Sequence, residues 1–478
     1  MRKLGLITVL TILSFGGLSQ EKRILSLEEC IEIAVDNNLS VQRSELSLQG
    51  AEINLLQAQA QRYPTINLNG NYGYNWGRGI DPTTNQFIDR RINFNGVSGS
   101  TNIPIINGMQ VNNSIKQSKF DKEASKYDLK RSVNDISLNI SLFYLNVILN
   151  KELLDNAKFQ LESSQQQYER TKVLVESGAL PLANELQLQS QVASNEVAVI
   201  NSQNNLDLSV LTLKQAMLLP PGQEIDIVIP EIEVDQTEIE SSSVMDIYNT
   251  ALENQPEMKS ADLRVKSAQV GLEVSKGGMY PTLNLGGGFS TNYSDAFQDV
   301  TVASVTPTGD LNPTTFVDNN GDPIFEQDFD VQLQSETVPL STQYDNNLSK
   351  RLTLSLNVPI FNGFRTRSDI QRSKIAVQQA EINKMEQRNA LFQTIESSYR
   401  NALAASKTYT ASQRQVEALE ETYRAVENQY NNGAANFTDY QVALNNLYQA
   451  RTDLSRAKFD FVFRMKVLEF YQGKPLTF

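Results

Sequence analysis

The sequence predicts a mainly α-helical protein with a membrane β-barrel portion, to which each chain contributes four strands, and the pattern is present twice. Three observations predict this fold. Two very long segments lack Gly and Pro, four segments alternate apolar with polar residues, and the two halves of the chain match each other at fixed offsets. The barrel follows because unpaired strand edges are not tolerated in lipid.

The two long segments are residues 109–177 and 364–432, each 69 residues long and without Gly or Pro. Gly and Pro are the strongest helix breakers, so their absence indicates helix. At about 1.5 Å per residue each helix would extend roughly 100 Å, whereas ordinary helices have about 11–12 residues. Asn-Gly precedes each segment and Gly follows it. These helices are expected to span a distance rather than to fill a compact core.

The first strand segment follows Tyr63-Pro64, where the period of the apolar residues changes to two. Over 65–76 small or polar residues alternate with a set that becomes aromatic, namely Ile66, Leu68, Gly70, Tyr72, Tyr74 and Trp76. Twelve alternating residues ending in an aromatic cluster are typical of a tilted membrane strand. Three further segments alternate in the same way, at 97–105, 283–293 and 352–360.

Polar segments separate the strands of each pair, at about 77–96 and 294–349. The second segment shows almost no periodicity and is expected to be a solvated, mobile loop. Its Asp residues miss the spacing of a calcium-binding loop, so no metal site is predicted there.

The internal repeat is visible without gaps. An offset of 217 places Tyr63-Pro64 on Tyr280-Pro281, and an offset of 255 places Pro104 on Pro359. The loop between the strands is therefore 38 residues longer in the second copy. We expect a signal peptide at 1–19, a first repeat at 20–219, a linker at 220–243, a second repeat at 244–472 and a tail at 473–478.

Composition excludes several classes of function. A net charge of −13 argues against nucleic acid as a partner. The absence of His and the presence of a single Cys remove the commonest general base, the commonest metal ligands and any intrachain disulfide. We therefore expect no catalytic residue, no cofactor and no enzyme activity. Cys30 is expected to be a small core residue.

The N-terminus has the features of a secretory signal peptide. Arg2 and Lys3 precede an apolar run over 4–18, which is too short for a membrane span. No other stretch is expected to form a transmembrane helix. The remaining destinations are the periplasm, the exterior, or the outer membrane by way of β-strands.

Four strands cannot close a barrel, because the smallest bacterial barrels have about eight. Two, three or four copies must then combine. The helices carry narrow apolar stripes, such as Ile136, Ile140, Phe143 and Val147, which suit helices packed side by side with water on both faces. The alternative is a periplasmic structural coiled-coil protein without channel activity. A heat-modifiable trimer in outer-membrane fractions would favour the channel, and a soluble monomer would favour the alternative.

The order helix, strand, strand, long helix, turn, helix, given twice, resembles the TolC-like outer membrane efflux proteins, over about residues 25–472. The motifs that carry the resemblance are the two Tyr-Pro pairs, Val358-Pro359-Ile360-Phe361-Asn362-Gly363 and Tyr430-Asn431-Asn432-Gly433. The resemblance implies a homotrimer with a 12-stranded barrel in outer-membrane lipid and a 12-helix tunnel in the periplasm. It implies the exit duct of a tripartite efflux or type I secretion system, working with a periplasmic adaptor and an inner-membrane pump.

The resemblance also assigns residues. It implies adaptor-docking turns at Gly178, Ala179, Leu180, Gly433 and Ala434, although a plain turn would equally need Gly at positive φ. It implies a periplasmic aperture at Tyr430 and Asp439. A second acidic position of the family is Val442 here, which weakens any carboxylate ring. The strand-to-helix junctions are Pro104, Gly108, Pro359 and Gly363.

Overall fold

The computed structural model describes residues 23–80, 85–230 and 243–476. The predicted signal peptide lies outside these residues, and so does much of the predicted linker. The chain forms two units. The first consists of Met1–Asn54, Gln117–Ala268 and Ile375–Phe478, and the second consists of Leu55–Lys116 and Gln269–Lys374. The first unit is mainly helical, and the second contains the long strands.

The helices repeat in length as well as in order. Their bounds are α1 Leu27–Asn37, α2 Leu39–Ala60, α3 Gln110–Glu176, α4 Leu182–Ala216, α5 Val244–Asn254, α6 Pro256–Gly277, α7 Leu340–Asn346, α8 Arg365–Asn431 and α9 Phe437–Tyr471. Helices α3 and α8 each have 67 residues, and α4 and α9 each have 35. The two long helices are confirmed to within one residue at each end.

Before the first strand of the sheet the chain forms two consecutive helices, α1 and α2. The backbone of Asn38 is extended, with φ −70° and ψ 125°, and this separates α1 from α2. Helix α1 begins with a capping box, in which Glu29 N donates to Ser26 Oγ at 3.2 Å and Ser26 N donates to Glu29 Oε2 at 2.8 Å. These two bonds satisfy donors that a helix start otherwise leaves unpaired.

One core of the helical unit is built from α1, α3, α4, α9 and a small sheet. Strand β1 (Arg23–Leu25) pairs in parallel with β6 (Ile225–Ile227). Cys30 is completely buried here, as predicted, and Ile140 and Val147 of the predicted α3 stripe are buried beside it. The Tyr144 hydroxyl donates to Val228 O at 2.5 Å and so fixes the segment after β6 to α3.

Among the residues that the structure describes, one helix, α3, is long and apolar enough for a membrane span by length and composition. One window of 18 residues in it reaches a mean hydropathy of 1.2, which qualifies by length and composition alone. One such window is weak evidence, because core helices pass the same test. The buried α3 side chains named above belong to a packed core.

The β unit contains four long strands, β2 Thr65–Asn75, β5 Ile92–Asn107, β7 Thr282–Ser294 and β10 Ser349–Asn357. They form one antiparallel sheet in the order β10–β7–β5–β2. All four predicted strands are therefore present, but β5 is longer than expected, and β10 begins three residues before the predicted segment and ends three residues before its end. Two short strands, β3 (Arg78–Ile80) and β4 (Phe87–Asp89), form a separate hairpin in the first loop.

The second loop is not the irregular segment that was expected. It forms β8 (Gln298–Val317) and β9 (Pro323–Thr337), paired as an antiparallel hairpin, and then α7. Three register irregularities, all involving β8, interrupt its two-residue rhythm. Strand β9 alternates regularly at Phe325, Phe329, Val331 and Leu333, so the expectation of almost no periodicity is wrong.

Candidate functional site

The two turns that join a long helix to a short one have the same backbone geometry. Gly178 N bonds to Val175 O at 2.9 Å and Ala179 N bonds to Leu174 O at 2.8 Å. In the second copy Gly433 N bonds to Tyr430 O at 3.0 Å and Ala434 N bonds to Gln429 O at 2.8 Å. This pair of bonds is a Schellman motif, whose C′ residue takes a left-handed conformation. The φ values are 75° at Gly178 and 74° at Gly433, which explains both glycines.

The residues that start the next helix differ between the copies. Pro181 precedes α4 without a side-chain cap, whereas Asn436 caps α9 by accepting a hydrogen bond from Asp439 N at 2.8 Å on Oδ1. Asp439 is exposed in the first turn of α9. A helix N-terminus favours a carboxylate there. The second turn thus presents a fixed, solvent-facing negative charge, while Asn184 occupies the matching place in the first.

Tyr430 does not stand free beside this turn. Its ring stacks on the ring of Tyr440 with 5.1 Å between centroids, and it contacts Phe437 at 6.0 Å. Burial raises the pKa of Tyr430. Tyr440 and Phe437 are buried in the same cluster, together with Leu188 from α4. The predicted aperture residue Tyr430 is therefore part of a small aromatic core that holds the second turn.

A chain of polar contacts crosses this aromatic cluster. Gln167 Nε2 donates to the Tyr440 hydroxyl at 2.7 Å, and the Tyr423 hydroxyl donates to Glu427 Oε1 at 2.8 Å. The hydroxyls of Tyr423 and Tyr440 lie 3.2 Å apart, within hydrogen-bond distance of each other. Burial raises the pKa of Tyr423, and the hydrogen bonds to Tyr440 and Glu427 raise it further. Helix α3 is thereby linked to α8 and α9.

This aromatic cluster was not among the sites predicted from the sequence. Its signal was the seven-residue spacing of Tyr423 and Tyr430, which places both rings on one side of α8, with a further aromatic residue, Phe437, directly after the turn. In the first copy the positions of Tyr430 and Tyr440 are Val175 and Glu185. The two turns have the same backbone conformation, but only the second has a stacked aromatic pair, Tyr430 and Tyr440, across it.

The predicted strand-to-helix junctions lie in the β unit. Gly108 and Met109 both have positive φ, at 60° and 64°, and Gly363 and Phe364 repeat this at 64° and 62°. A Cβ at Gly108 would lie 2.3 Å from Gly277 O, so only glycine fits. Pro104 lies in β5 at a register irregularity, and Pro359 follows the end of β10.

Comparison with known proteins agrees with this architecture. The family model described as "Outer membrane efflux protein" matches residues 30–217 and 247–462, which is most of the chain. Outer membrane protein TolC of Escherichia coli (strain K12) is 21% identical over 472 residues, covering 96% of this chain and 84% of TolC.

Two solved structures share the fold. A structure of CusC superposes with a TM-score of 0.71 at 15% identity and covers 96% of both chains. The outer membrane protein VceC of Vibrio cholerae superposes with the same TM-score and identity, covering 94% of this chain and 97% of VceC. These are channel proteins with a TolC-like helical tunnel and β-barrel, and the family is one of channels, not of enzymes. The chain therefore belongs to the outer membrane efflux protein family and is an outer-membrane efflux channel.

Proposed function

We propose that three copies of this chain join head to tail into one exit duct. The observation that carries this proposal is the strand pairing between the two repeats of one chain. The second strand of the first repeat, β5, pairs with the first strand of the second repeat, β7. In the described residues β2 pairs only with β5 and β10 pairs only with β7. In the internal repeat β10 corresponds to β5, and β2 corresponds to β7. The free edge of β10 can therefore pair with β2 of the next copy in the way that β5 pairs with β7.

The repeat offsets predict the register of that contact. Within the chain Gly99 pairs with Phe289. The repeat offset of 255 relates Gly99 to Leu354, and the offset of 217 relates Phe289 to Tyr72. Leu354 should therefore lie opposite Tyr72 of the next copy. Both side chains are largely exposed, at 62% and 63%. By the same rule Leu352 lies opposite Tyr74.

Lipid requires this closure. In hydrocarbon every backbone group must be paired within the protein, so an open sheet edge costs several kcal/mol per unpaired group. Head-to-tail pairing leaves no edge when the ring closes. Three copies give the 12 strands that the resemblance implies, and the tunnel would be formed by the helices of the same three chains.

Cysteine crosslinking tests this assembly. The double variant Leu354→Cys/Tyr72→Cys, in a Cys30→Ala background, is expected to form covalent trimers on mild oxidation in outer membranes. The control Leu354→Cys/Gly70→Cys is slipped by two residues on the same face and should crosslink far less. Equal crosslinking of both pairs, or a monomer in detergent, would rule out the proposed register.

The aperture is proposed at the second turn. Three copies of Asp439 around one axis would form a ring of carboxylates, which favours cations at a constriction. The exposed position of Asp439 and the rigid aromatic support of Tyr430 favour this role. With Val442 in place of a second acid, the ring would hold cations weakly.

Both turns are proposed as docking points for a periplasmic adaptor, which connects the duct to an inner-membrane pump. Two turns with one backbone geometry offer one contact surface twice per chain, and Ala179 and Ala434 are exposed in them. The double variant Ala179→Arg/Ala434→Arg should abolish export of a pump substrate in cells while single-channel conductance of the purified protein stays unchanged. Normal export by that variant would exclude these turns as the contact.

A further inference from the structure

The β8–β9 hairpin has one face without any charge. Directly opposed residues of an antiparallel pair share a face, so the register assigns the faces. The pairs Val302–Leu333, Val305–Val331 and Pro307–Phe329 lie on one face, which we call the apolar face. The other paired residues of this face, from Gln298 to Pro313 and from Phe325 to Thr337, are all uncharged.

The opposite face is acidic. It carries the acidic pairs Asp299–Glu336, Thr306–Asp330 and Asn312–Glu326, and its remaining pairs are uncharged and polar. The whole segment 295–348 contains ten carboxylates and neither Lys nor Arg, against a net charge of −13 for the chain. The two faces of the hairpin therefore have opposite preferences for water.

The apolar face is uncovered in the single chain. Leu333 is 63% exposed and Phe329 is 54% exposed. Two strands about 4.8 Å apart and about 15 residues long, at ~3.3 Å per residue, present roughly 500 Å² on one face. That is at the upper end of the largest apolar patch on a typical monomer, about 300–600 Å², and such patches usually mark an interaction site.

The base of the hairpin is fixed to the sheet. Gln343 in α7 is fully buried, and its Nε2 donates to Ser294 O at 2.9 Å and to Val338 O at 2.8 Å. Its Oε1 accepts from Ser294 N at 2.9 Å. The Tyr344 hydroxyl donates to Asn95 Oδ1 at 2.6 Å. The base of the hairpin is therefore held at the end of β7 that lies away from the strand-to-helix junctions.

We propose that the apolar faces of three hairpins pack against one another and form a cap over the exit of the duct, which narrows it. This proposal rests on the proposed trimer. The hairpin joins β7 to β10, the strand whose edge meets the next copy, so each hairpin begins beside a subunit boundary. Three faces together offer about 1,500 Å², within the ~1,200–2,000 Å² of a standard interface.

The charge distribution of the hairpin favours other copies of this chain as the partner that covers its apolar face. An uncharged face meets its own copies without repulsion, and the carboxylates on the opposite face stay in water. The same carboxylates oppose close approach to lipids that carry phosphate. Packed sheets lie about 10 Å apart, a spacing that the large side chains of the apolar face can fill.

The test compares two neighbouring residues on opposite faces. Phe329→Cys and Asp330→Cys are made separately in the full-length Cys30→Ala protein and treated with a short bismaleimide in outer membranes. Phe329→Cys is expected to give at least about tenfold more crosslinked dimer than Asp330→Cys, since only the apolar faces converge on the three-fold axis. The pair Leu354→Cys/Tyr72→Cys, made in parallel, reports the barrel independently of the hairpin.

Conductance provides a second measurement. Val331→Asp places a charge in the cap and should raise the single-channel current, whereas Asp330→Asn should leave it unchanged. If Phe329→Cys crosslinks no better than Asp330→Cys while the barrel pair still crosslinks, the cap is refuted and the trimer stands. Protection of Phe329→Cys from an aqueous maleimide without crosslinking would show another occupant and would also refute it. If the barrel pair fails, the trimer and the cap are refuted together.

Discussion

The ring of Tyr430 stacks on the ring of Tyr440, with 5.1 Å between centroids and 24° between planes. Tyr430 ends a 67-residue helix and Tyr440 lies in the first turns of the next, so this contact holds the second helix turn closed. The first turn has the same backbone bonds and no such pair. The stability of the second turn should therefore depend on aromatic packing, whereas the stability of the first turn should not.

Replacing Tyr440 tests that dependence. Tyr440 is 1% exposed, and truncating a buried aromatic residue to Ala costs about 3–5 kcal/mol. Tyr440→Ala should lower the urea midpoint of the helical unit, followed by far-UV circular dichroism. Tyr440→Phe keeps the ring but removes the hydroxyl that accepts from Gln167 Nε2, and leaving that part-buried donor unpaired costs about 1–3 kcal/mol. The matched control is Glu185→Ala, at the corresponding position of the first copy, and an equal loss of stability there would contradict the dependence on aromatic packing.

Asp439→Asn should weaken block of the channel by divalent cations. Removing three carboxylates from one ring removes the attraction that concentrates cations at the constriction. In planar bilayers we expect the blocking concentration of a divalent cation to rise about tenfold, a change of ~1.4 kcal/mol. Glu185→Gln, an acidic residue in the first turn of α4, is the control. Unchanged conductance and unchanged block in Asp439→Asn would exclude Asp439 from the aperture.

Burial of the Glu257 carboxylate should make the helical unit less stable at neutral pH than at mildly acidic pH. Burial raises the pKa of Glu257, Asp135 raises it further, and Arg131 opposes the shift. A carboxyl group whose pKa is higher in the folded than in the unfolded state destabilises the fold above its folded pKa, and this penalty disappears as the pH falls through that value. Glu257→Gln should therefore raise the urea midpoint at neutral pH and lose that advantage under acidic conditions. Glu253→Gln, an exposed neighbour in α5, should show no such pH dependence.

Cys30 should not react with thiol reagents in the folded protein. Its side chain is fully buried, and burial raises its pKa to about 12, with Glu29 adding to the rise. The thiolate is the reactive form, so both access and ionisation oppose labelling. A maleimide at pH near 8 should modify Cys30 only after unfolding in urea, as measured by mass spectrometry. Ser177→Cys, at the exposed end of α3, should be labelled at once, and rapid native labelling of Cys30 would contradict the packing of α1.

Much of the site was visible in the sequence and part of it was not. Gly178 and Gly433 marked the turns because a left-handed residue is required there and glycine adopts it at least cost. The stacking of Tyr430 on Tyr440 was not visible, because it joins residues on either side of a turn. Strand β8 was not predicted because its irregularities break the two-residue rhythm on which strand prediction depends, whereas the alternation of β9 was present in the sequence.

By itself the sequence determined the duplication, the ends of the long helices and the four sheet strands. These features follow from local rules, since helix breakers act at their own positions and strand alternation repeats every two residues. Only the tertiary structure decided the order β10–β7–β5–β2, the pairing of β1 with β6 and the uncharged face of the hairpin. These features depend on which distant segments come into contact. The physical reason is that strand pairing and burial are interactions between segments and are not properties of one segment alone.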